Sequence, residues 1–178
     1  GAGATSLRNK KYQELISRIG ADMEQVLPVL KGILAAFQLE KLVAYNTERE
    51  KELKGINLTA EILGKAETLD ESLQNICSHL PEAMQFPAQT AVRIVYEGRS
   101  YTSKGFRETP WMLRQTFETP DQKKGCIEIV YLKKFPEADE GPFLAEERNL
   151  INNLAALISG TVSKKALQDL LVKNTERL

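Results

Sequence analysis

The sequence predicts an α+β protein: a small antiparallel sheet with helices packed on one face. An N-terminal helical hairpin or short coiled coil precedes it, and a long C-terminal helix follows. Three observations carry that class. After Pro87 the apolar periodicity changes from helical spacing to alternation by two, and four short runs follow, separated by turn residues. The run Gly-Cys-Ile-Glu-Ile-Val-Tyr-Leu at 125–132 is largely apolar on both alternating faces, which marks a central strand covered on both sides. From Phe143 apolar residues recur at helical spacing as far as Leu171, more than twenty residues and so about 30 Å or longer, against a usual strand of about 17–20 Å.

The first helical stretch starts near Ser6, a suitable cap, and carries Leu15, Ile16, Ile19, Met23, Val26 and Leu27 as its apolar stripe. Pro28 is expected to kink or restart it, because proline removes a donor and clashes with the preceding turn. Residues 45–54 are almost wholly polar and read as a solvated helical segment or a hinge before the stripe returns at Ile56, Ala60 and Leu63. The heptads are imperfect, hence a hairpin or short coiled coil rather than a long zipper. Thr68 and Glu71 fit the Ser/Thr-x-x-Glu capping box, so a new helix begins there, with Leu69, Leu73, Ile76, Cys77 and Leu80 on one face. Strands are expected at 90–96, 100–104, 111–119 and 125–132, with a tight turn at Glu97-Gly98-Arg99. Short connections make most neighbours antiparallel. The last helix opens near Phe143 with Glu146 and Glu147 in its first turn, where the helix dipole favours negative charge.

The order of these pieces resembles a GAF domain, in particular the short GAF modules N-terminal to sensor kinases and other signalling outputs. The resemblance rests on TLDESLQNICSHLPEAM, TAVRIVYEG, GCIEIVYL and FLAEERNLINNLAALIS, and most specifically on EADEGPFLAEERNLINNLAALI. It divides the chain into an N-terminal helical signalling segment at 6–52, a GAF-like domain at 53–163 and a C-terminal linker helix at 164–178. It implies a non-catalytic regulatory module, part of a signal-transduction protein such as a two-component system. Such a module would dimerise through its flanking helices and relay its state to an output domain in cis. The apolar stripe reaches Leu178 without a glycine or proline stop, so the natural chain is expected to continue. GAF domains usually carry a long lid insertion between early and late strands. Here only residues 105–110 stand there, so any pocket should be shallow. Phe135, Asp139 and Glu140 spell half of the cyclic-nucleotide signature of some GAF domains, but Lys133 and Lys134 stand where Asn-Lys is wanted.

Other chemistry is sparse. Formal net charge is zero and no apolar run spans a bilayer, so neither nucleic acid nor membrane is an expected partner. The chain opens without a charged region followed by an apolar run, and two cysteines make no disulfide framework, so a cytoplasmic setting is expected. There is no Gly-rich phosphate loop, and no cofactor or metal is expected. His79, the single histidine, precedes Leu80-Pro81 and reads as a boundary residue. Glu137, Asp139 and Glu140 read as a solvated turn.

Two clusters remain. Arg93 and Glu128 are each the odd polar residue on a strand face that otherwise reads apolar. They pair if their strands are neighbours, and Arg114 points to the same side. With Tyr101, Phe106 and Trp111 on the rim, this face is the candidate site for a small anionic metabolite. The bland reading is a structural ion pair. Leu150, Leu154, Leu157, Ile158, Leu167 and Leu171 form the candidate dimer helix, with a homodimer as the expected partner arrangement. A thiol-dependent redox enzyme is the remaining alternative, and it would have to use Cys77 or Cys126 as a nucleophile.

Overall fold

The computed structural model describes residues 2–65 and 67–176. The chain divides into two compact units, Gly1–Asn46 and Thr47–Leu178. It is α+β: helix α1 (Ala2–Gly64), helix α2 (Leu69–His79), two single-turn 3-10 segments, strands β1 (Thr90–Tyr96), β2 (Arg99–Thr102), β3 (Met112–Glu118) and β4 (Lys124–Tyr131), and helix α3 (Ala145–Glu176). The last two residues of the expected linker helix, Arg177 and Leu178, lie outside the described residues.

No hairpin forms in the N-terminal segment. α1 is one helix, with Pro28 inside it. Proline deletes a single donor, and Pro28 is exposed, so water can take up the carbonyl it leaves free. The polar stretch after residue 45 is helical too, and i,i+3 ion pairs run along it, Glu48 with Lys51 at 3.2 Å and Arg49 with Glu52 at 2.8 Å. Counted through Pro28 without a reset, the apolar residues fall on one heptad register: Tyr12, Ile16, Ile19, Met23, Val26, Leu30, Ile33 and Phe37, alternately four and three apart. Every one of them is exposed.

In the second unit the sheet order is β2-β1-β4-β3, all neighbours antiparallel. β4 is interior, as its two-sided apolar pattern requires. Val92, Ile94, Tyr96, Leu113, Phe117, Ile127, Ile129 and Tyr131 face a core closed by Ile62 and Leu63 of α1, Leu73 and Ile76 of α2, and Leu150, Ile151, Leu154, Ile158 and Val162 of α3. Two glycines permit close approach: a side chain at Gly125 would overlap the Phe117 ring, and one at Gly55 would meet Leu150 and Ala83 at 2.9 Å.

Thr68 caps α2 with the full reciprocal capping box. At the start of α3, Asp139 accepts from the Ala145 amide at 2.9 Å, and Glu140 pairs with Arg148. Phe143 stacks on Tyr131 at 4.6 Å, and Phe135 stacks on Phe86 at 3.7 Å. Glu147, 2% exposed, accepts from the amides of Leu144 and Gln85, the Gln85 side chain and the Tyr131 hydroxyl. The motif EADEGPFLAEER is thus the capping assembly of α3, which engages Asp139 and Glu140, while Phe135 is held by the rings of Phe86 and Tyr131.

Side chains of the helices reach both sheet edges. Arg148 and Ser159 of α3 donate to the carbonyls of Arg114 and Glu118 on β3, and Gln74 of α2 donates to Thr102 on β2. Such cover discourages the pairing of a further strand.

Candidate functional site

Across the sheet face turned away from the core, one row of residues runs over three strands. Arg93 of β1 registers with Glu128 of β4, which registers with Arg114 of β3. Two-residue alternation puts all three on the same side. Glu128 is 6% exposed. It accepts from Arg93 Nε at 3.0 Å and Nη2 at 2.5 Å, and Arg114 Nε lies 3.6 Å away. Arg93 also donates to Glu108 at 3.0 Å, and its guanidinium lies 4.7 Å over the Phe106 ring. Glu108, then Glu128, push the Arg93 pKa further up. The segment 103–111 is fixed beside this face by two more bonds, Thr109 Oγ1 to the Tyr131 carbonyl at 2.8 Å and Arg107 to the Leu132 carbonyl at 2.6 Å.

Of the six candidate ligand residues, Arg93, Phe106, Arg114 and Glu128 come together. Tyr101 and Trp111 do not. Tyr101 registers with Ile94 and belongs to the core side, where its hydroxyl donates to Asp70 of α2. Trp111 packs against the same core. Their position in the alternation, not their chemistry, decides the face. The Arg93 guanidinium is already shared by two carboxylates and a ring. The Arg114 side chain is 60% exposed and is the open end of the row.

Cys126 is buried beside this row, its thiol 3.6 Å from Glu128 Oε1 and 3.8 Å from Arg114 Nη2. Cys77 sits among the core side chains of α2, donating to the Tyr101 carbonyl at 3.3 Å, and burial pushes its pKa up to about 12. The sheet separates the two thiols, so they form no nucleophile and resolving pair. His79 is exposed in the last turn of α2. Among the described residues no group of three or more His, Cys, Asp or Glu side chains is placed to hold a metal ion, and no helix is long and apolar enough to cross a membrane.

The candidate dimer helix divides in two. Leu150, Leu154 and Ile158 are fully covered by the sheet of their own chain, and Leu157 packs at the margin of that core. Leu167 and Leu171 are exposed, together with Leu170 and Val172. The change from covered to exposed falls at Lys165. That lysine is 5% exposed and donates from Nζ to the carbonyls of Lys65 and Glu67, both at 2.7 Å. One turn later Asp169 accepts from the Leu69 amide at 3.3 Å, at the first turn of α2. A positive group thus faces the carbonyl end of α1 and a negative one the amide end of α2, each complementing a helix dipole. Beside this joint runs an open groove of about 960 Å³, bordered by Asp70, Arg99, Lys173 and Glu176 among others.

The sequence pattern left Lys165 and Asp169 unmarked and showed Glu147 only as a first-turn acid, not as the buried acceptor it is. The available signal was phase: Lys165 stands three residues after Val162, in line with the buried stripe, where a lysine needs a polar partner. Compared with protein-family models, with curated proteins and with solved structures, the chain matches none.

Proposed function

We propose that this chain is a GAF-like regulatory module without catalysis of its own, whose helices bring copies together and carry its state toward an output domain. One observation carries the reading: α3 is a single helix whose first half is core and whose second half presents Leu167, Leu170, Leu171 and Val172, with the joint gripped at Lys165. A change in packing under residues 150–162 is passed rigidly to those exposed positions. The neighbouring positions of β1 and β4, and the helices gathered on one face, accord with the GAF resemblance. The exposed heptad register of α1 supports association between copies, the homodimer being the smallest such assembly. Each fully covered Leu, Ile, Val, Met or Phe contributes about 1.5–3 kcal/mol, which offsets the cost of ordering so long a helix.

A ligand or partner shifts such a module only through unequal affinity for its two states. The experiment is a fusion of this chain ahead of a reporter whose output depends on the phase of the incoming helix. One residue inserted after Lys173 rotates the continuation by about 100° and should change output. Seven inserted residues restore the heptad phase and should restore it. Output indifferent to both insertions refutes the relay.

The open end of the ion-pair row favours a second reading, a sensor of a small anionic metabolite that completes the alternation of charge at Arg114. In a thermal-shift screen of carboxylate and phosphate metabolites, a stabilising hit lost in Arg114→Ala supports it. Equal shifts in both proteins dismiss it.

A further inference from the structure

We infer that α1 assembles in fours, its apolar face fitting the same face of three other copies of this chain rather than of one. The inference rests on the reading that α1 self-associates, and it goes further by fixing the number of strands. Three features of the seam decide it. The first is the shape of the residues in the two core positions. Ile19, Val26 and Ile33, all β-branched, occupy one position, while Met23 and Leu30, unbranched at Cβ, occupy the other. With Tyr12 in the former set and Ile16 in the latter, the former is position d and the latter position a. Leu at a with Ile at d disfavours the two-stranded coil and selects three or four strands, because the side chains meet their neighbours at different angles in the larger bundle.

The second feature is the width of the face. A two-stranded seam is a narrow a/d stripe edged by charged e and g positions. Here e carries Leu27 and Leu34, and g carries Leu15, Val29 and Ala36. All of these large residues are exposed. Over residues 26–37 they make, together with a and d, an apolar arc of about 160° around the helix, wide enough for each helix to touch a neighbour on either side, whereas Gln13 and Gly20 stand at e in the first half. The third feature is charge. Between residues 12 and 37, Glu14, Arg18, Glu24 and Lys31 fall on the opposite side, and Asp22 is the single charge within the arc. No e–g ion pairs specify a pair of helices, and little like-charge repulsion opposes lateral packing.

The length also speaks for α1 against α1. The seam from 12 to 37 extends about 39 Å, whereas the exposed apolar residues of α3 between 167 and 172 extend about 9 Å. Between the two arrangements that the core residues select, apolar residues at both e and g favour four, because flanking positions beyond the a/d seam are covered in a bundle.

Sedimentation equilibrium of the whole chain tests this. The expected mass is about 80 kDa, four times the 20.0 kDa chain. A mass of about 40 or 60 kDa overturns the four-stranded assembly while leaving self-association standing, and about 20 kDa overturns both. A second protein carrying Val29→Glu and Leu34→Lys places opposite charges on the flanks, where a two-stranded coil tolerates them and a four-stranded bundle buries them. It should fall to half the wild-type mass with its helical circular dichroism retained. A variant that keeps the wild-type mass overturns the role of the flanks. If the variant unfolds instead, the wild-type mass decides the matter.

Discussion

Lys165 and Asp169 lie one turn apart on α3 and grip opposite sides of the junction between α1 and α2, the lysine holding two carbonyls after α1 and the aspartate an amide of α2. Three helices therefore meet at two side chains of one of them. Lys165→Met keeps the aliphatic stem and leaves both carbonyls without that donor. Charge-assisted hydrogen bonds contribute about 1.5–3 kcal/mol each, and removing a buried charge returns part of that, so the expected loss is about 1–3 kcal/mol in a urea melt. Asp169→Ala alone should cost less. In a double-mutant cycle the two should be non-additive, because they hold one joint. Strict additivity would show that the two act independently.

Glu128 and Arg114 contrast buried and exposed members of one ion-pair row. Removing Glu128 leaves the partly exposed Arg93 with Glu108 and the Phe106 ring, so Glu128→Ala should cost about 1–3 kcal/mol. Arg114→Ala removes a mostly exposed and distant partner and should cost no more than about 1 kcal/mol. Equal losses in chemical denaturation would mean that Arg114 is more deeply engaged than its exposure indicates.

The sequence made the sheet legible because alternation by two is a local signal. It placed the four strands within a few residues and paired Arg93 with Glu128 on condition that their strands are neighbours, as β1 and β4 are. It put Tyr101 and Trp111 on the wrong face, since each sits one step away in the alternation from where a ligand rim requires it. In α1, Pro28 interrupted the count, and two half-stripes concealed one continuous register. Lys165 and Asp169 stayed hidden because their partners are backbone groups about a hundred residues away, and backbone groups leave no mark in the side-chain pattern.

Acid sensitivity follows from the hairpin between β3 and β4. Hydrogen bonds from Thr119 and then Ser163 lower the Asp121 pKa from its ordinary 3.8 to about 2. Asp70 is lowered too, first by Tyr101 and then by Arg99. A depressed carboxylate stabilises the folded state above its unfolded pKa, and that stabilisation disappears as pH falls through the folded value. Asp121→Asn should therefore be less stable than the wild type at neutral pH. The deficit should close as pH falls from 3.8 to about 2. A deficit unchanged across that window, in melts taken at each pH, would contradict the assignment.

Burial sets the reactivity expected of Cys77. Its pKa is pushed up to about 12 by burial in the core, so little thiolate exists at neutral pH. Alkylation of Cys77 should be slow in the folded protein and should accelerate with denaturant in parallel with global unfolding. Rapid modification of Cys77 under native conditions would contradict this and favour the redox reading.

Association between copies requires that the exposed seam of α1 be covered in solution. Amide hydrogen exchange across residues 12–37 reads this directly, since a helix without a partner opens readily and a packed one does not. Slow exchange is expected through that segment in the associated protein, turning fast in a Leu30→Asp variant while β4 stays protected. Fast exchange throughout residues 12–37 in the wild type at every concentration would contradict it.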